Sequence, residues 1–97
     1  MKAEIIQYAP TVKNAAGRTI CLRSEEYMDR ISDLRIDFDA KVFRANVSNE
    51  KGKTYHVKWD LTNRKVSCTC PAHGHRMTLP CKHAVAVYRT MYHAFKD

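Results

Sequence analysis

The sequence predicts an α+β fold: a small antiparallel β-meander closed by a C-terminal helix and preceded by an N-terminal helix. Three observations carry this reading. Apolar residues alternate with polar ones through much of residues 34–61, the period of half-buried strands. They recur at helical spacing across residues 84–95. The 97 residues are 44% apolar and 28% charged with only 3 Gly and 3 Pro, which describes one globular domain and excludes disordered and collagen-like chains. No apolar run approaches the roughly 18 residues of a membrane-spanning helix. The opening MKAEIIQYAP carries Glu4 in a short apolar stretch, unlike a secretory leader, so a soluble intracellular protein of the cytoplasm, nucleoid or nucleus is expected.

Taken in order, residues 1–23 are the least readable. Ile5, Ile6 and Tyr8 suit the start of a short strand or helix, Pro10 interrupts the pattern, and residues 14–17 (NAAG) mark a turn or helix stop. Residues 18–23 have strand-like composition. Ser24 offers an N-cap, with Glu25 and Glu26 in a first turn. Tyr27, Met28, Ile31 and Leu34 then recur at helical spacing, predicting a helix over 25–34. The period changes to two at Leu34, Ile36 and Phe38, again at Phe43, Ala45 and Val47, and again at Tyr55, Val57, Trp59 and Leu61. Residues 49–52 read as a Gly-containing hairpin loop, and 62–64 as a second turn into a short strand at 65–68. Residues 71–80 are loop-like. Cys81 opens the final helix, with Ala84, Val87, Tyr88, Met91 and Phe95 on one face.

Three of the four cysteines form one constellation with a histidine: Cys68-Thr69-Cys70, ten residues, then Cys81-Lys82-His83. Three thiolates and an imidazole are a closed tetrahedral donor set for Zn2+, and soft sulfur favours zinc over calcium or magnesium. Cys68 and Cys70 share a face in a strand, but their Cβ atoms would stand roughly 7 Å apart there. Zn–S bonds of about 2.3 Å place the sulfurs only about 3.8 Å apart, so the strand should break near Thr69 and Cys70. Residues two apart on a helix do not face each other, so Cys81 should precede the first turn and His83 lie inside it. One structural zinc per chain on Cys68, Cys70, Cys81 and His83 is therefore expected. His73 or His75 could replace His83 if the loop folded back. Cys21 reads as a small buried hydrophobe. A disulfide framework needs an oxidising compartment and leaves His83 idle. A nucleophilic Cys–His pair needs one thiol where the motif offers three. A four-donor site leaves no position for a catalytic water, so no enzyme is expected.

On these residues the sequence resembles the SWIM-type zinc finger. The resemblance includes the hairpin segment Thr54-Tyr55-His56-Val57-Lys58, then Val66-Ser67-Cys68-Thr69-Cys70-Pro71, and Leu79-Pro80-Cys81-Lys82-His83-Ala84-Val85-Ala86. It covers about residues 41–95, with weaker similarity from 25 on, and divides the chain into an N-terminal extension of unknown role (1–24) and a zinc-finger domain (25–97). The resemblance implies a strand, strand, zinc knuckle, helix arrangement that binds DNA or other proteins, usually attached to something larger.

Charge is unevenly placed. Residues 1–40 carry 6 Lys/Arg against 7 Asp/Glu, and residues 41–97 carry 11 against 3, out of a total of +7. Such asymmetry points to a polyanionic partner. The expected function is a zinc-stabilised nucleic-acid-binding accessory or regulatory protein, with DNA favoured over RNA. Expected phosphate contacts are Lys51, Lys53, Lys58, Arg64, Lys65, Arg76, Lys82 and Arg89. The alternative is a protein–protein adaptor, or a homodimer, built on the same finger. No membrane or small-molecule substrate is expected.

Overall fold

Alternation in β2 (Val42–Ser48) and β3 (Thr54–Asp60) builds the centre of the fold. In the computed structural model, which describes residues 1–71 and 80–96, Phe43 faces Trp59, Ala45 faces Val57 and Val47 faces Tyr55 across the two strands. All six side chains are buried, while Arg44, His56 and Lys58 between them are exposed. With β1 (Ile31–Asp37) and β4 (Lys65–Cys68) they form a four-stranded antiparallel meander in the order β1-β2-β3-β4. The turns are built by short polar side chains. Asn49 Oδ1 accepts from the N–H groups of Lys51 and Lys53, both at 2.9 Å, and Gly52 takes the left-handed φ of 81° that the loop needs. Asp60 accepts from Asn63 N at 3.1 Å and Asn63 Nδ2 at 2.8 Å at the second turn.

The apolar face of the sheet is covered by α3 (Lys82–Phe95), whose Ala84, Val87, Tyr88 and Met91 are buried. Trp59 crosses this interface and donates from Nε1 to Ala84 O at 2.9 Å. Two N-terminal helices, α1 (Lys2–Ala16) and α2 (Arg18–Ser24), pack on α3, and a 3₁₀ segment at Glu25–Arg30 leads into β1. Ile5 and Val12, seven residues apart on one face of α1, are buried in the same core as Trp59. The Tyr88 hydroxyl donates to Ile5 O at 2.5 Å. Arg89 ties the end of α2 to α3: its Nη1 donates to Cys21 O at 3.0 Å and to Ser24 Oγ at 3.1 Å, and Nη2 donates to Glu25 Oε1 at 3.3 Å.

The N-terminal third differs from the sequence-based expectation in four places. Pro10 lies inside α1 rather than interrupting it. A mid-helix proline costs about 3 kcal/mol, and burial of Ile5, Val12 and Ala16 offsets it. Residues 18–23 are helical, since Gly17 at φ 83° ends α1 and the chain restarts against α3 instead of adding a strand. Ser24 does not cap a helix over 25–34. It is fully buried and donates to Cys21 O at 2.6 Å, and the helical geometry ends at Arg30. Leu34 and Phe38 are exposed, at 40% and 60%. Leu34 lies in a bulge between Ser32 and Arg35, with Asp33 at φ 54°, and Phe38 lies past the end of β1 in the turn to β2. Ile31 pairs with Val47 and Ile36 with Phe43, so six residues of β1 match five of β2 and the alternation changes phase.

Candidate metal centre

The β4 strand delivers the first two donors. Cys68 pairs with Val57 at the last position of the strand, on the core side. Thr69 stays attached to β3: its N–H donates to His56 O at 3.2 Å, and its Oγ1 accepts from His56 N at 3.0 Å. Regular pairing stops there and Cys70 turns inward, where it is buried. The strand breaks where the sulfur geometry requires it.

The N-terminus of α3 delivers the other two. Cys81 is the N-cap residue, extended at φ −83° and ψ 173°, and its Sγ accepts from Ala84 N at 3.5 Å. His83 sits within the first turn, 4% exposed, walled by the ring of Tyr27 at 4.6 Å and that of Tyr55 at 4.8 Å. One donor atom from each of Cys68, Cys70, Cys81 and His83 lies within 4.8 Å of the others. The 3.9 Å between Cys81 Sγ and His83 Nδ1 is close to the roughly 3.6 Å edge that zinc's bond lengths give a tetrahedron.

Electrostatics prepares Cys81 as the anion of the set. The Cys68 thiol hydrogen-bonds to it and outweighs the opposing burial; His83 and the Ala84 N–H add to the effect, and the Cys81 pKa is drawn well below the ordinary thiol range. Cys68, as the donor in that contact and in the same dry environment, is pushed well above the ordinary thiol range. A helix N-terminus stabilises a thiolate in the same direction. His83 Nε2 is buried with no hydrogen-bond partner among the described residues. Three sulfurs and an imidazole nitrogen gathered this closely in a buried site are the donor set of a soft cation. This donor chemistry fits one structural Zn2+, held by Cys68, Cys70, Cys81 and His83. Bound there, the ion supplies folding free energy by tying the end of β4 to the start of α3.

Cys21 lies apart from this cluster, half-buried on α2 with its Sγ 3.9 Å from Lys13 O. Cys21→Ala should bind zinc at full stoichiometry and lose about 1–3 kcal/mol at most. A metal-free Cys21→Ala protein, by elemental analysis, would place Cys21 in the coordination shell instead. His73, His75 and Arg76 lie outside the described residues.

The seven described cations of the expected phosphate-binding set do not form one cluster. Lys51 and Lys53 are exposed in the β2–β3 loop, Lys53 with its ammonium 5.7 Å from the Tyr55 ring centre. Lys58 is on the outer face of β3. Arg64 and Lys65 lie at the β3–β4 turn, and the Arg64 guanidinium stacks 5.2 Å from the Tyr8 ring. Lys82 lies 5.1 Å from the Tyr27 ring. Arg89 is committed to holding α2, so its donors are taken by the protein itself. Two cations absent from that set, Arg35 and Arg44, stand on the outer face in register with Lys58. Alternation already assigns both to the polar side of their strands; only the pairing register brings them together.

A family model for the SWIM zinc finger matches residues 55–92. The match begins in β3, takes in all four metal donors and ends in α3. No curated protein and no solved structure matches the chain.

Proposed function

We propose that this protein is a non-enzymatic, zinc-stabilised nucleic-acid-binding module, favouring DNA, that acts as an accessory or regulatory factor. The observation that supports it most is the state of its cations. Among the described residues, ion pairs within 4 Å engage only Arg89 of the seven candidate cations; Glu50 feels the charges of Lys82 and Lys51, and Asp60 that of Lys58, without closing on them. Zn2+ with three thiolates contributes a charge of about −1, so residues 41–97 stay strongly cationic when metal is bound. The metal fixes the scaffold, and the charge attracts the polymer.

Salt-titrated binding tests the reading. With four to six phosphate contacts, log K should fall with log salt at a slope of about −4 to −5 on a duplex. Glu26, in the acidic part of the chain and in no ion pair among the described residues, should not affect that slope when neutralised. Absence of binding to duplex, single strand and RNA at about 50 mM salt would remove the proposal, because electrostatic binding is strongest there. The second reading, a protein–protein adaptor, then takes its place. Leu22, 58% exposed, and Phe38, 60% exposed, are its best contact candidates.

A further inference from the structure

We infer that the solvent face of the sheet, centred on Arg44, grips the phosphate backbone of a nucleic-acid duplex. This rests on the nucleic-acid reading above and adds the surface and the form of the polymer. Strand pairing sets Arg35 opposite Arg44, and Arg44 opposite Lys58. Three cations therefore stand side by side across β1, β2 and β3, a row about 10 Å wide at roughly 4.8 Å per strand. Like charges directly opposite destabilise a sheet. Among the described residues one carboxylate joins the row by an ion pair: Asp33 Oδ1, 3.3 Å from Arg35 Nε. Asp37 and Asp60 border the row on the same face, but Asp37 accepts from the N–H groups of Asp39 and Ala40, and Asp60 from Asn63. The opposite border is made for hydrogen bonding to an anion. Asn46 and His56 form a 2.7 Å side-chain pair there, beside Ser67 and Thr69 in a shallow groove of about 460 Å³. Guanidinium, ammonium, amide and hydroxyl groups are the usual partners of phosphate oxygens.

The form of the polymer follows from what the groove lacks. Alternation sends the rings of β2 and β3 (Phe43, Tyr55 and Trp59) into the core, and among the described residues no Phe, Tyr or Trp lines the groove. The His56 ring is tied to Asn46. Proteins that take single strands rely on bases stacked on aromatic rings. This face has charge and hydrogen-bond donors for a backbone and no platform for bases.

The test is binding of the full zinc-loaded chain to a short DNA duplex, and to one of its strands alone, between about 50 and 200 mM salt. Arg44→Gln should weaken duplex binding about tenfold at low salt and flatten the salt slope by about one; Arg44→Gln with Lys58→Gln should flatten it by about two. Asp33→Asn, which removes the acid from the row, should tighten binding a few-fold. Zinc content should be unchanged, and Arg44→Gln should raise the melting temperature as the cross-strand repulsion is relieved. A merely structural Arg44 would lower both binding and stability. If the row variants bind like the parent while Lys51→Gln with Lys53→Gln does not, this surface is wrong and the nucleic-acid reading stands. A single strand bound more tightly than its duplex also overturns the inference. If the parent binds nothing, both fail together.

Discussion

Removing zinc with a strong chelator is expected to unfold the protein, and His83→Ala is expected to do the same without one. Structural zinc sites release an apparent 10–16 kcal/mol or so on binding, whereas a domain of this size is stable by about 5–15 kcal/mol in total. The site also joins the two elements on which the core depends. Cys68 ends β4 and Cys81 caps α3, and α3 packs on β3, α1 and α2. Without the ion, three sulfurs and an imidazole remain within 4.8 Å of one another with no cation between them. Circular dichroism and elemental analysis should show loss of structure and metal together. His73→Ala and His75→Ala should retain both, because four donors already close the shell. A chelated protein that keeps its full spectrum, or a zinc-loaded His83→Ala, would falsify the assignment.

The second large effect should come from Trp59→Ala, at about 3–5 kcal/mol. Trp59 is 1% exposed, packs its ring 4.9 Å from that of Tyr88 and 6.4 Å from that of Phe43, and donates to Ala84 O. Truncation opens a cavity between sheet and helix and removes that hydrogen bond at once. Denaturant unfolding followed by far-ultraviolet dichroism measures the loss, since the variant has no tryptophan to report fluorescence. A change below about 1 kcal/mol would mean that the side chain does not join the two layers.

The centre of the molecule was legible because its signals are local and mutually consistent. Period-two alternation named the inward residues of β2 and β3 correctly, and the donor spacing foretold both the break after Cys68 and the position of Cys81 before the helix. The N-terminal third was not legible for the opposite reason. Nothing near Pro10 announces that α1 will be held by a distant helix, and nothing near Arg18 announces the guanidinium of Arg89 that fixes α2. The bulge at Asp33 is equally silent: Ile36 faces inward as the alternation has it, but only pairing with β2 reveals that Leu34 falls out of the pattern and that Ile31 joins the inward side. Tyr27, a wall of the His83 pocket, came into view only through the fold.

The position of α3 also determines when folding can be completed during synthesis. It covers the sheet, receives α1 and α2 and supplies half of the metal donors, yet it is the last element in sequence. The contact from Tyr88 to Ile5 joins residues 83 positions apart. Contacts this distant are costly to close and slow a chain's folding. On the ribosome, α1, α2 and the meander emerge first, with Phe43, Val47, Val57 and Trp59 uncovered. At about 5–20 residues per second, the helix that shields them follows roughly two to seven seconds later. Through that interval no complete zinc site exists, and an apolar sheet face is open to any other nascent chain. Aggregation in this protein should therefore be controlled by synthesis rate and by the supply of zinc as α3 emerges, rather than by the stability of the finished fold.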